Sequence, residues 1–176
     1  MDQEQSRHLS RVEQLQTSFE AAKTRLVARL RNATDEAAER AQGSAWSAAQ
    51  IGWHVATVTT RFAGIMSGEI PAAQAMPVEF AERSWTDVLA SIPDRIEAPA
   101  ATAPPPAVRR EDAVAALEAS GIRMSRAIES LTPERGARMG ITHPLVGAIS
   151  VYQVGDWATA HLIRHNRQAK RALSQA

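Results

Sequence analysis

Two histidines, His161 and His165, lie four residues apart in a stretch whose apolar residues recur at helical spacing. At about 100° per residue they stand only about 40° apart around the axis, one turn above the other, so both imidazoles can reach one ion. A third, His54, lies between Ile51 and Val58 on the apolar stripe of an earlier helical segment. All three thus fall at inward positions that helix bundles usually fill with leucine. An i, i+4 pair alone is a weak pattern, and a lone inward histidine is more often a hydrogen-bonded core residue than a ligand. Three together weigh differently. Buried neutral imidazoles without a cation leave ring nitrogens short of partners, at about 1–3 kcal/mol each. His54, His161 and His165 are therefore the candidate metal ligands, and three neutral nitrogens leave a coordination position open for water, as in catalytic sites.

The chain has no cysteine, which excludes disulfides, thiolate metal sites and a cysteine nucleophile, so any metal must be held by nitrogen and oxygen. Leu162 stands where an HExxH metalloprotease would carry its glutamate. Asp156, about 140° around the helix from His161, is poorly placed as a fourth ligand. Gln50, one turn before His54, and Gln168, three residues after His165, are candidates for orienting ligands or water, or equally ordinary polar residues at the bundle edge. His8, in polar first turns, is expected to be exposed. His143, followed by Pro144, is expected to act as a turn residue or to line the mouth of the site.

These side chains need helices to hold them. Val12, Leu15, Phe19, Leu26, Val27 and Leu30 predict a first helix from Ser6 to about Arg31. Trp46, Ile51, Val55, Val58, Phe62 and Ile65 predict a second from about Ser44 to Met66, with Ser44 as its N-cap and Ser67-Gly68 as its stop. Between Gly68 and Arg109, Pro71, Pro77, Pro93, Pro99 and Pro104-Pro105-Pro106 forbid a long helix. Only Trp85, Val88, Leu89 and Ile92 suggest a short one, capped by Ser84. A third helix is expected from about Arg110 to Leu131, closed by Thr132-Pro133, then a loop from Glu134 to about Gly147, and a fourth helix from about Ala148 to Leu173. No strand is expected. The fold class is all-α: one domain over residues 1–176, a four-helix bundle with a long irregular crossover between the second and third helices.

Composition agrees with that class: 44% hydrophobic, 22% charged, and a length sufficient for a core of its own. Twenty basic against 19 acidic residues leave a formal charge of +1, which argues against nucleic acid or an acidic membrane surface as a partner. Arg164, Arg167, Lys170 and Arg171 suit the last turns of a helix, where cations complement the dipole, and are expected on a solvated face. A polar N-terminus and the lack of any span of transmembrane length set a cytoplasmic expectation.

The stretch HPLVGAISVYQVGDWATAHLIRHNRQAKR, His143 to Arg171, and the stretch WSAAQIGWHVATVTTRF, Trp46 to Phe62, resemble the DinB-like (YfiT-like) superfamily of metal-binding four-helix bundles. The shared pattern is His-Pro, a glycine three residues on, and a helix bearing H-x-x-x-H followed by glutamine. The earlier stretch matches in a helix opened by tryptophan that carries the first ligand. Position by position, the resemblance places the family's metal-binding histidines on His54, His161 and His165. It implies thiol S-transferase or metal-dependent hydrolase chemistry, with a divalent ion and a low-molecular-weight thiol as cofactors and a small molecule as substrate. Zinc is the first expectation for the ion, with nickel or iron as alternatives. Related bundles often pair, so a homodimer with Trp85 or Phe80 at its contact is compatible. The competing expectation is a non-catalytic stress or interaction protein in which the ion staples the second helix to the fourth.

Overall fold

The computed structural model describes residues 3–90, 92, 98–144 and 146–174. Pro93, one of the expected helix breakers, lies outside them. Four long helices make the bundle: α1 (Gln3–Arg31), α3 (Ala48–Ser67), α5 (Arg110–Glu129) and α7 (Val151–Ser174). Between them run α2 (Asp35–Glu39), β1 (Gln74–Ala75), α4 (Trp85–Ala90), a 3-10 turn (Ala100–Thr102), α6 (Pro133–Arg138), β2 (Met139–His143) and β3 (Gly147–Ser150). α3 packs on α5 and α7, and α1 packs on the same two, so α1 and α3 lie diagonally across the core. Their apolar stripes interlock there: Leu15, Phe19, Leu26 and Leu30 of α1, Ile51, Val55 and Met66 of α3, Leu117, Met124 and Ile128 of α5, and Leu162 of α7 are all buried. At about 1.5–3 kcal/mol for each large side chain removed from water, this burial is what holds the short connections in place.

The second helix opens three residues later than expected. Ser47, not Ser44, is its N-cap: the Gln50 N–H donates to Ser47 Oγ at 3.1 Å, and the Ser47 N–H donates to Gln50 Oε1 at 2.9 Å. The reason lies in the S-x-x-Q spacing, which satisfies two orphan N–H groups at once; Ser44 is followed three residues on by a serine. The same device delays the fourth helix. It starts at Val151 rather than Ala148 because Ser150 and Gln153 exchange the equivalent bonds at 3.2 and 3.4 Å, which releases 147–150 to become strand. At its far end α3 closes on Gly68 at φ +90, and Arg135 donates to the carbonyls of Ile65 and Met66 at 2.7 and 2.6 Å. The last-turn carbonyls of α3 are thereby satisfied by a side chain from α6.

The expected loop from Glu134 to Gly147 is a correction. Thr132-Pro133 does not merely close the third helix, which ends at Glu129; it opens α6, with Thr132 accepting from the Arg135 N–H and Pro133 in the first turn. An antiparallel sheet of order β1-β2-β3 follows, with Gly140 opposite Ser150 and His143 opposite Gly147. Strands of two, five and four residues are too short to show a period-two pattern, which is why none was expected. Gly147, at φ +75, supplies the left-handed turn of the hairpin. The short helix capped by Ser84 is present, the Asp87 N–H donating to Ser84 Oγ at 3.2 Å. Among the described residues the rest of the crossover carries only β1 and the 3-10 turn, and its prolines forbid a longer helix.

Candidate metal centre

His54 sits mid-way along α3, and His161 and His165 sit on the facing stripe of α7. Because α3 and α7 are packed neighbours, the three rings meet: centroids are 5.1 Å apart for His54 and His161, 4.9 Å for His54 and His165, and 4.2 Å for His161 and His165. One nitrogen from each lies within 4.8 Å of the others. The Nε2 atoms of His54 and His161 are 3.2 Å apart. Two nitrogens bound tetrahedrally at about 2.05 Å would be separated by about 3.3 Å, so this spacing already suits an ion of zinc's size.

The outer nitrogens decide which lone pairs face inward. His54 Nδ1–H donates to the Thr102 carbonyl at 2.7 Å, and His165 Nδ1–H donates to Gln168 Oε1 at 2.7 Å. With a proton held on each Nδ1, Nε2 is left as the free lone pair. His161 differs, since its Nδ1 is buried and has no hydrogen-bond partner among the described residues. A ring so placed gains its one strong polar interaction through Nε2, as a metal ligand does. These three observations, the convergent nitrogens, the two fixed tautomers and the orphaned Nδ1, fit a divalent ion.

Burial sets the charge state. His165 is pushed down to about 4, first by desolvation, then by His54, with the Gln168 bond opposing and Arg164 adding to the depression. His161 is held well below its ordinary value by burial and by His165, His54 and Arg164, and His54 is lowered by burial against the Thr102 carbonyl. At neutral pH all three are therefore neutral, the form that binds a metal. Among the described residues no carboxylate joins them. Asp156 is turned towards α1, where Arg11 grips it through both guanidinium nitrogens, one at 3.1 Å.

A long cleft opens from the histidines towards the β2–β3 hairpin, lined by Trp46, Phe62, Trp85, His143 and Trp157 among others. The Trp46 ring lies 5.0 Å from His54, and Trp157 packs 4.6 Å from His143 and 6.2 Å, edge-on, from Trp85. His143, at the end of β2, thus lines the cleft from the hairpin, and burial lowers its pKa.

Of the residues expected to orient the ligands, Gln168 does so directly. Gln50 does not: besides capping α3, its side-chain amide donates to the Pro105 and Pro106 carbonyls at 2.9 and 3.0 Å and ties down the proline run. The expectation that His8 is exposed is also overturned. It is buried, with Nδ1 2.6 Å from the Tyr152 hydroxyl, because the first turns of α1 pack on the start of α7. Thr102 was missed altogether; it acts through a backbone carbonyl, which every residue carries and no sequence pattern marks.

Fold and site together define a four-helix bundle with a three-histidine group, spread over two helices, that could hold a metal ion. A model of the DinB superfamily matches residues 18–169, a span that contains His54, His161 and His165. The chain belongs to that superfamily. A comparison with curated proteins found no match.

Proposed function

We propose that this protein is a metal-dependent enzyme, a thiol S-transferase or hydrolase, whose divalent ion is held by Nε2 of His54, His161 and His165. The observation that carries the reading is the convergence of three neutral imidazoles, two with their tautomers fixed from behind, beside an open aromatic cleft rather than inside a sealed core. A divalent ion there supplies Lewis acidity, lowering the pKa of a thiol or water in its open position so that the nucleophile forms at neutral pH. The residues do the rest. Thr102 and Gln168 hold the imidazoles in their ligating orientation, and Trp46, Trp85 and Trp157 give an apolar substrate body a surface to rest on.

The test is elemental analysis of untagged protein beside His54→Ala, His161→Ala and His165→Ala, followed by turnover assays. The expected result is about one divalent ion per chain, lost in each variant, with loaded protein turning over activated electrophiles with a small thiol, or simple esters or amides. A metal-loaded protein that gains stability but turns over neither class would leave the ion as a staple between α3 and α7 and sink the enzymatic reading.

A further inference from the structure

Both helices that carry the histidines open on the same S-x-x-Q device, and in both the glutamine has a second bond that a helix cap does not need. In α3, Gln50 Oε1 accepts from the Ser47 N–H at 2.9 Å while its Nε2 donates to the Pro105 and Pro106 carbonyls at 2.9 and 3.0 Å. In α7, Gln153 Oε1 accepts from the Ser150 N–H at 3.4 Å while its Nε2 donates to the Arg83 carbonyl at 2.9 Å. Both side chains are buried. Their amide orientation is forced, because turning either one would set N–H against N–H and oxygen against carbonyl. Glutamate would close such a box equally well, and its charge would suit the helix dipole better. Only glutamine accepts at the cap and donates to the crossover.

What Gln50 holds bears on the histidines. It stands one turn before His54, about 6 Å along α3 and on the same side of the helix. Residues 98–108 of the crossover form a strap along that side, bonded to His54 through the Thr102 carbonyl and to Gln50 three and four residues further on. Among the described residues no other hydrogen bond joins this strap to the bundle. The Thr102 N–H and hydroxyl donate to the Pro99 carbonyl at 2.8 and 3.1 Å, which shapes the turn but does not fix it to α3. On the other side of Thr102, Pro104, Pro105 and Pro106 each have a locked φ, so a hold on their carbonyls passes back along the chain with little slack.

We infer that Gln50 is a positioning residue of the candidate metal centre: by tethering Pro105 and Pro106 it keeps the Thr102 carbonyl against His54 Nδ1–H. The imidazole is thereby held with Nε2 towards the other two histidines. The inference rests on the metal-dependent reading above for its bearing on the ion, and on the hydrogen bonds alone for its bearing on His54. Gln153 clamps the opposite end of the crossover, just before α4, and does not touch the strap.

The experiment compares isotope-labelled wild type, Gln50→Glu, Ser47→Ala and Gln153→Glu in two ways. One is the solvent exchange of the His54 Nδ1–H proton in metal-free protein, read by NMR relative to the backbone amides of α3. The other is zinc affinity by competition with a chromogenic chelator. Gln50→Glu keeps the cap and loses the tether, Ser47→Ala does the reverse, and Gln153→Glu makes the same chemical change at the far end of the crossover. Gln50→Glu should speed the His54 exchange and weaken zinc binding, each about tenfold or more. Ser47→Ala and Gln153→Glu should leave both within about twofold of wild type. If Gln50→Glu does not fold, Gln50→Met replaces it; that variant loses cap and tether together, so its difference from Ser47→Ala isolates the tether. Exchange or zinc affinity unchanged in the Gln50 variant, or equal losses in Ser47→Ala or Gln153→Glu, would overturn the inference. Should wild type take up no zinc, it is the metal-dependent reading that fails, and the His54 exchange then decides alone. Faster exchange confined to the Gln50 variant would sustain its hold on the ring, and its absence would end it.

Discussion

A histidine that is neutral because it is buried leaves a signature in the pH dependence of folding. His54, His161 and His165 titrate below their ordinary value in the folded chain, His165 at about 4. In the unfolded chain they take up protons near pH 6.5. Between those limits the unfolded state binds more protons than the native one, so stability is full above about pH 6.5 and drains away as pH falls towards 4. Each histidine contributes at most about 1.4 kcal/mol per pH unit in that window. Burial pushes Asp156 up, which works in the opposite sense, and pushes His143 down, which works in the same sense as the three. Urea midpoints of metal-free protein should therefore drop from pH 7.5 to pH 5.5, and less so in His165→Ala; a flat profile would contradict the burial of these rings. Gln168 belongs to the same scale. Gln168→Ala removes the acceptor that fixes His165 and should weaken metal affinity about tenfold or more, read by competition with a chromogenic chelator.

At the scale of elements, the two S-x-x-Q boxes fix where α3 and α7 begin, and so where their histidines stand. Ser47→Ala breaks the box at α3 and should cost about 1 kcal/mol in denaturant unfolding, whereas Ser44→Ala should be close to neutral. Gly136 of α6 is a tighter constraint, since a β-carbon there would fall on the Tyr152 ring. Gly136→Ala should destabilise by about 1–3 kcal/mol, and a smaller loss would mean that the ring has room to move. These elements also mark how far the sequence could be read. The four long helices and the three histidines were legible because a 3.6-residue stripe over twenty positions is a strong signal and His54, His161 and His165 lie on it. The hairpin of Met139–His143 with Gly147–Ser150 was not, because its strands are defined by each other rather than by their own periodicity. His8 was misread for a related reason: its polar neighbours in sequence said nothing of Tyr152, 144 residues away.

For the molecule as a whole, the candidate centre joins two helices that already pack together, so an ion held there would couple its binding to folding. Zinc at about a thousand times its dissociation constant would add about 4 kcal/mol. For a chain of this size that is a rise in Tm on the order of 10 °C. The rise should be seen by scanning calorimetry and be absent in each histidine-to-alanine variant; a rise that survives His54→Ala would mean that the ion sits elsewhere. Among the described residues no helix is long and apolar enough to cross a membrane. Trp85 lies edge-on against Trp157 in the cleft.

The bond from His54 to the Thr102 carbonyl ties α3 to the middle of the crossover through a group that no codon specifies. Every L-amino acid carries such an oxygen, so what places it is the turn: Thr102 is buried, and its N–H and hydroxyl donate to the Pro99 carbonyl at 2.8 and 3.1 Å. Shortening the chain by one residue between 98 and 101 would move that oxygen by up to a full residue's length, about 3.5 Å, and release the imidazole. The crossover thus stores its contribution to the centre in spacing rather than in spelling. Such a dependence shows up as intolerance of insertions and deletions beyond what the side chains of the segment explain.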